Sequence, residues 1–208
     1  MAIRAQHALW LETRCSALGR STRGFCRKER DDFMAKLRKM LGRADDPQIL
    51  TLMHLLETQS RRTLAGWAAD CAKRRYLPIF ERAFPDEYWP KELLEAVRSC
   101  LAGELAVSEV KRLVKNGRTL ARGAADEPAA AAAAQAIVTA CGVLQTPTNA
   151  LGFVFYGAAA AAYDELGLRA AQAEYDVRAA LEFDALTEYL RQVMVADEPD
   201  PIQVNWYC

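Results

Sequence analysis

Residues 128–163 contain no Asp, Glu, Lys or Arg, a charge-free run of 36 residues. Such a run must be satisfied by lipid or by the interior of a protein. The polar stretch Gln145-Thr146-Pro147-Thr148-Asn149 divides it into two halves. Each half is about 16 residues, short of the roughly 20 mostly apolar residues that a membrane-spanning helix needs. Much of the run is alanine, which contributes little to insertion. A helix that is apolar all round belongs in a core. The run is therefore expected to form a central helical hairpin wrapped by other helices. Ala130, Ala133, Ala134, Gly152, Gly157 and Ala158 allow close backbone approach, and Phe153, Phe155 and Tyr156 fill the wider gaps.

The flanking sequence is also helical in pattern. No sustained alternation of apolar and polar residues marks a strand. Asp46-Pro47 reads as an N-cap followed by proline at the first helical position, opening a helix to about Thr58. Ser60 can cap the next helix, and Pro78 is expected to kink or end it. Pro90 opens another, closed by Gly103. Further starts fall near Ser108, Pro128, Pro147 and just after Gly167, about 20 residues apart. The expected fold is all-α: antiparallel helical hairpins forming a bundle or a short α-solenoid of the HEAT type.

The 208 residues suggest a helical domain over 46–195. A basic N-terminal extension with one or two helices would occupy 1–45, and a short tail 196–208. Net charge is zero, but its distribution is uneven. Residues 1–30 carry seven basic side chains against Glu12 and Glu29, whereas residues 164–200 carry ten acids against Arg169, Arg178 and Arg191. The longest apolar run near the start, Ala8-Leu9-Trp10-Leu11, is too short for a secretory signal. A cytoplasmic protein with reduced thiols is the expectation, its six cysteines behaving as small hydrophobes.

No catalytic motif emerges. The only histidines, His7 and His54, lack neighbours at metal-ligand spacing, and His54 reads as a partly buried structural residue. No C-x-x-C pair, P-loop, G-x-G-x-x-G or H-E-x-x-H occurs. Neither cofactor nor metal is called for. Lys111, Arg112, Lys115, Arg118 and Arg122 share one helix, but an overall neutral chain does not favour nucleic acid. Asp70 interrupts the run Trp67-Ala68-Ala69-Asp70-Cys71-Ala72 and can pair with Arg74 one turn on. The aromatic candidates for recognition are Trp67, Tyr76, Trp89 and Trp206, with Trp89 and Trp206 the best placed for the surface.

The block Leu64-Ala65-Gly66-Trp67-Ala68-Ala69-Asp70-Cys71-Ala72 resembles the opening signature of a bacterial family of immunity proteins, the fifth so numbered in polymorphic toxin systems. Leu77-Pro78 with Phe80-Glu81, then Phe84-Pro85-Asp86, then Pro90 with Glu92, Leu94, Glu95 and Ala96, resemble its next blocks. Gly103-Glu104 follows at the right distance, and the alanine-rich hairpin is similar to the family's own. The histidines typical of those helices have no counterpart here, where Cys141, Thr148 and Gly123 stand. The resemblance implies a cytoplasmic antidote that binds a cognate toxin protein. Its candidate contact or motif residues are Trp67, Asp70, Cys71, Glu81, Asp86, Trp89, Glu104, and, on an acidic last helix, Glu182, Asp184 and Glu188. Two alternatives stay open: a helical scaffold or adaptor, and a small-ligand domain with a site near Asp70 and Glu104.

Overall fold

The computed structural model describes residues 37–206. The first thirty-six residues of the expected basic extension, with His7, Cys15 and Cys26, lie outside them, as does Cys208. The chain divides between Arg38 and Lys39 into two units, and the described helices belong to the second, Lys39–Cys208.

Among the described residues there are eight α-helices and no strand. They are α1 (Pro47–Glu57), α2 (Arg61–Cys71), α3 (Leu77–Ala83), α4 (Trp89–Ala102), α5 (Val107–Leu120), α6 (Pro128–Cys141), α7 (Asn149–Leu166) and α8 (Gln172–Val193). Most of their boundaries follow local chemistry. Pro47 stands in the first turn of α1. The Ser60 hydroxyl accepts the Thr63 N–H at 3.2 Å at the start of α2. Gly103 closes α4 with φ of 84°, a left-handed conformation in which a side chain is disfavoured.

Helices α6 and α7 form the hairpin expected from the charge-free run, and they make the most extensive helix contact in the unit. Ala133, Ala134, Ile137, Ala140, Phe153, Val154 and Ala158 are fully shielded from solvent. Helix α6 also touches α2, α3, α4 and α5, while α7 is covered by α8. In a solenoid each repeat meets only its neighbours in sequence. Here α2 reaches α6, α7 and α8, so the helices form a bundle. No helix among the described residues is long and apolar enough to cross a membrane.

Pro78 does not end its helix. A π-turn, Ala72–Tyr76, joins α2 to α3, and the chain stays helical from 61 to 83. The Leu77 N–H bonds to the Ala72 carbonyl five residues back. Widening the turn by one residue accommodates the ring of Pro78 and the hydrogen bond its missing N–H forfeits. The same turn buries Tyr76 against α7 at Gly157. A Cβ at Gly157 would overlap the Tyr76 hydroxyl and ring, so only glycine fits there.

The tail folds back over the junction of α1 and α2. The buried Gln59 carboxamide accepts the Val195 N–H at 2.8 Å and donates to the Val195 carbonyl at 3.1 Å. The Trp206 indole donates to Glu57 at 2.7 Å.

Candidate functional site

The most unusual chemistry in the unit is a buried carboxylate. Glu182 of α8 is 0% exposed. Arg75 of the π-turn grips it with two parallel bonds, Nε to Oε1 at 2.6 Å and Nη2 to Oε2 at 2.5 Å. Arg178, one turn earlier on α8, adds Nη1 to Oε2 at 3.1 Å. The Tyr76 hydroxyl donates to Oε1 at 3.0 Å. Burial pushes the Glu182 carboxyl upward, but Arg75 and Arg178 outweigh it and hold the group below its ordinary range. Burial, reinforced by the adjacent carboxylate, raises the Tyr76 phenol. A fork-to-fork arginine–carboxylate pair of this kind is strongly directional. It locks the π-turn to α8.

Several residues singled out in the sequence therefore sit elsewhere than expected. Glu182 does not belong to an exposed acidic face; it is internal. Trp67 and Cys71 are core residues. The Trp67 indole donates to the Leu186 carbonyl at 3.2 Å, and its ring meets Phe153 edge-on at 4.9 Å. Burial raises the Cys71 thiol, which keeps it protonated and inert. His54 is exposed rather than partly buried, 3.8 Å from Glu57. Trp89 and Trp206 are half-buried, Trp89 lying edge-on to Phe80. Asp70 does not pair with Arg74 directly. Both meet Tyr189 of α8, whose hydroxyl donates to Asp70 at 3.2 Å and whose ring lies 4.8 Å beneath the Arg74 guanidinium.

Asp70, Asp86, Glu104, Asp184 and Glu188 are exposed, and Glu81 is half-buried in an ion pair with Lys91 at 2.7 Å. Two surfaces gather these side chains. One is a groove of about 770 Å3 between α2 and α4. Gly66, Ala69 and Asp70 form one wall, and Glu92, Leu94 and Glu95 the other. Asp70 lines it; Glu104 and Arg122 do not.

The other surface is the outer stripe of α8. Val177, Leu181, Asp184 and Glu188 follow one another at spacings of four, three and four, which places them in a row. Val177 is 65% exposed and Leu181 59%. Helix α8 thus carries apolar side chains on both faces, and only the inner set serves the core. The acidity of the helix hides the outer pair in the sequence, although two aliphatic residues one turn apart are a signal in themselves. Among the described residues, no group of His, Cys, Asp and Glu is arranged to hold a metal ion.

An all-α bundle with one internal ionic cluster at Glu182, and with aliphatic and acidic side chains outward on its last helix, defines a class of small helical proteins. Within that class the relationship is specific. The family model described as Imm-5 like putative immunity protein matches residues 54–187, and the chain belongs to this family. No curated protein and no solved structure matches it.

Proposed function

We propose that this chain is a cytoplasmic antidote that binds a cognate toxin protein and blocks it, with the outer stripe of α8 as the contact surface and no catalysis of its own. The observation that carries the reading is the exposed pair Val177 and Leu181 beside Asp184 and Glu188. Aliphatic side chains clustered on a surface contribute little to the fold and mark interaction sites when rimmed by polar groups. The two acids would steer a basic partner toward the aliphatic centre, affecting the rate of encounter more than its final strength.

The test is titration of the purified chain against its cognate toxin, sought first among the products of the adjacent genes. Val177→Lys with Leu181→Lys is expected to weaken binding at least ~30-fold, the scale of a lost hot spot. Asp184→Lys with Glu188→Lys is expected to slow association and flatten its salt dependence. Full-strength binding by all these variants sinks the assignment of α8.

A second contact surface has its own supporting observation. The exposed residues of two family-like blocks, 64–72 and 90–96, converge on the groove between α2 and α4. Its apolar floor and charged rim suit a helix or an extended segment of a partner. If Asp70→Arg with Glu95→Arg abolishes toxin binding and the α8 variants leave it intact, the groove takes the place of α8.

A further inference from the structure

Beside the buried Glu182 lies a cleft of about 360 Å3 on which four arginines converge: Arg74, Arg75, Arg82 and Arg178. Three carboxylates line it too, Asp164, Glu165 and Glu182, leaving the cations one ahead. The three acids are not equivalent. Glu182 is internal and held by two bonds to Arg75. Asp164 and Glu165 stand in the last turn of α7, where the negative end of the helix dipole disfavours them. Their side chains are 35% and 58% exposed. Asp164 takes Arg82 at 2.5 Å, and Glu165 takes Arg178. Each pair reaches solvent through one partner, Arg82 in the first and Glu165 in the second, so each is weaker than the fully internal pair at Glu182 and the two acids are the groups a competing anion can displace. Arg74 faces the ring of Tyr189 and has no carboxylate partner among the described residues.

We propose that this cleft binds the phosphate group of a small phosphorylated ligand, with Asp164 and Glu165 occupying its place while it is absent. A phosphate presents several oxygens and two negative charges, enough to engage more than one guanidinium fork. A monocarboxylate gains nothing over the carboxylates already present. Pro78, Ile79 and Ala161 form an apolar wall for the carbon part of the ligand. The π-turn contributes Arg74 and Arg75 in succession, which ties the site to the helical irregularity that Pro78 imposes.

The experiment is calorimetric titration of inorganic pyrophosphate into the full chain, with potassium chloride matched for ionic strength. Saturable binding below about 1 mM is expected, the affinity of a few charge-assisted bonds. Arg74→Gln with Arg82→Gln should weaken it about tenfold or more, with the fold checked by circular dichroism. Arg74→Gln alone, which breaks only a ring contact, covers the case where the double variant unfolds. Asp164→Asn with Glu165→Gln should tighten binding several-fold, because the internal competitors are gone. Lys111→Gln with Lys115→Gln on α5 should change nothing. The proposal fails if the wild-type chain shows no saturable binding. It fails equally if the arginine variants bind as well as the wild type, or if neutralising Asp164 and Glu165 does not tighten binding.

Discussion

Helices α7 and α8 lie against each other and solve opposite problems. Helix α7 has no charge from Asn149 to Tyr163 and is buried almost all round. Helix α8 is charged along its length and buried on one stripe only, through Tyr175, Ala179, Glu182, Phe183, Leu186 and Leu190. Folding accounts for every side chain in the middle of α7. It accounts for the inner stripe of α8 and leaves Val177 and Leu181 largely exposed. The core and the proposed contact stripe are thus separated by one helix diameter. The internal ion cluster at Glu182 is the joint between them.

Perturbing the joint should have the largest effect. Glu182→Ala leaves Arg75 and Arg178 without their shared anion. A broken buried pair costs about 3–5 kcal/mol, and the partial exposure of Arg75 puts this one near about 3. Urea unfolding would show it as a lower midpoint.

Next come insertions into the hairpin. Ala133→Leu, at a fully buried position, is expected to overpack by roughly 2–3 kcal/mol. Gly157→Ala should cost about 2 kcal/mol, because its Cβ meets the Tyr76 ring that Glu182 holds in place. If either variant melts like the wild type, the α6–α7 hairpin is not packed as described.

Acid sharpens the comparison further. The folded-state carboxyl of Glu182 is depressed, so its contribution is fully present above the ordinary carboxylate range and is lost as pH falls through the depressed value. Stability should therefore decline as pH drops below about 4.5, and the Glu182→Gln variant should decline less steeply. Urea midpoints measured for both chains between neutral pH and the acid limb decide this.

The smallest effect on stability belongs to the outer stripe. Val177→Lys with Leu181→Lys should stay within about 0.5 kcal/mol of the wild type, since lysine is a good helix former and both positions face solvent. A thermal melt shifted by many degrees would mean that the stripe serves the fold after all.

Much of the fold is legible in the sequence alone. Pro47, Ser60 and Gly103 mark helix ends because each performs a local task that needs no tertiary partner. The charge-free run reveals the core because burial tolerates few unpaired charges. What stays hidden depends on distant pairing. Pro78 reads locally as a breaker, yet neighbouring helices hold the chain helical through a π-turn. Glu182 reads as one more acid in an acidic helix because its main partner, Arg75, lies 107 positions away. A signal does exist: 175, 179, 182 and 186 share one face, so Glu182 stands on the apolar stripe, with Arg178 one turn away to receive it. His54 is readable in the same way, since Ile49, Leu52, Met53 and Leu56 define the buried face of α1 and leave His54 off it. The proposed contact stripe is less legible, because no local rule distinguishes two exposed aliphatic residues that serve a partner from two that serve nothing.

Native-state hydrogen exchange tests the central division most directly. If α6 and α7 form a dry interior enclosed by the other helices, their amides between Ala130 and Cys141, and between Ala150 and Ala162, should exchange only through global unfolding, with protection equal to the full stability of the unit. The outermost turns of α8 should open at much lower cost. Rapid exchange along the hairpin, comparable with that of the α8 ends, would show the pair to be wet and would contradict the account.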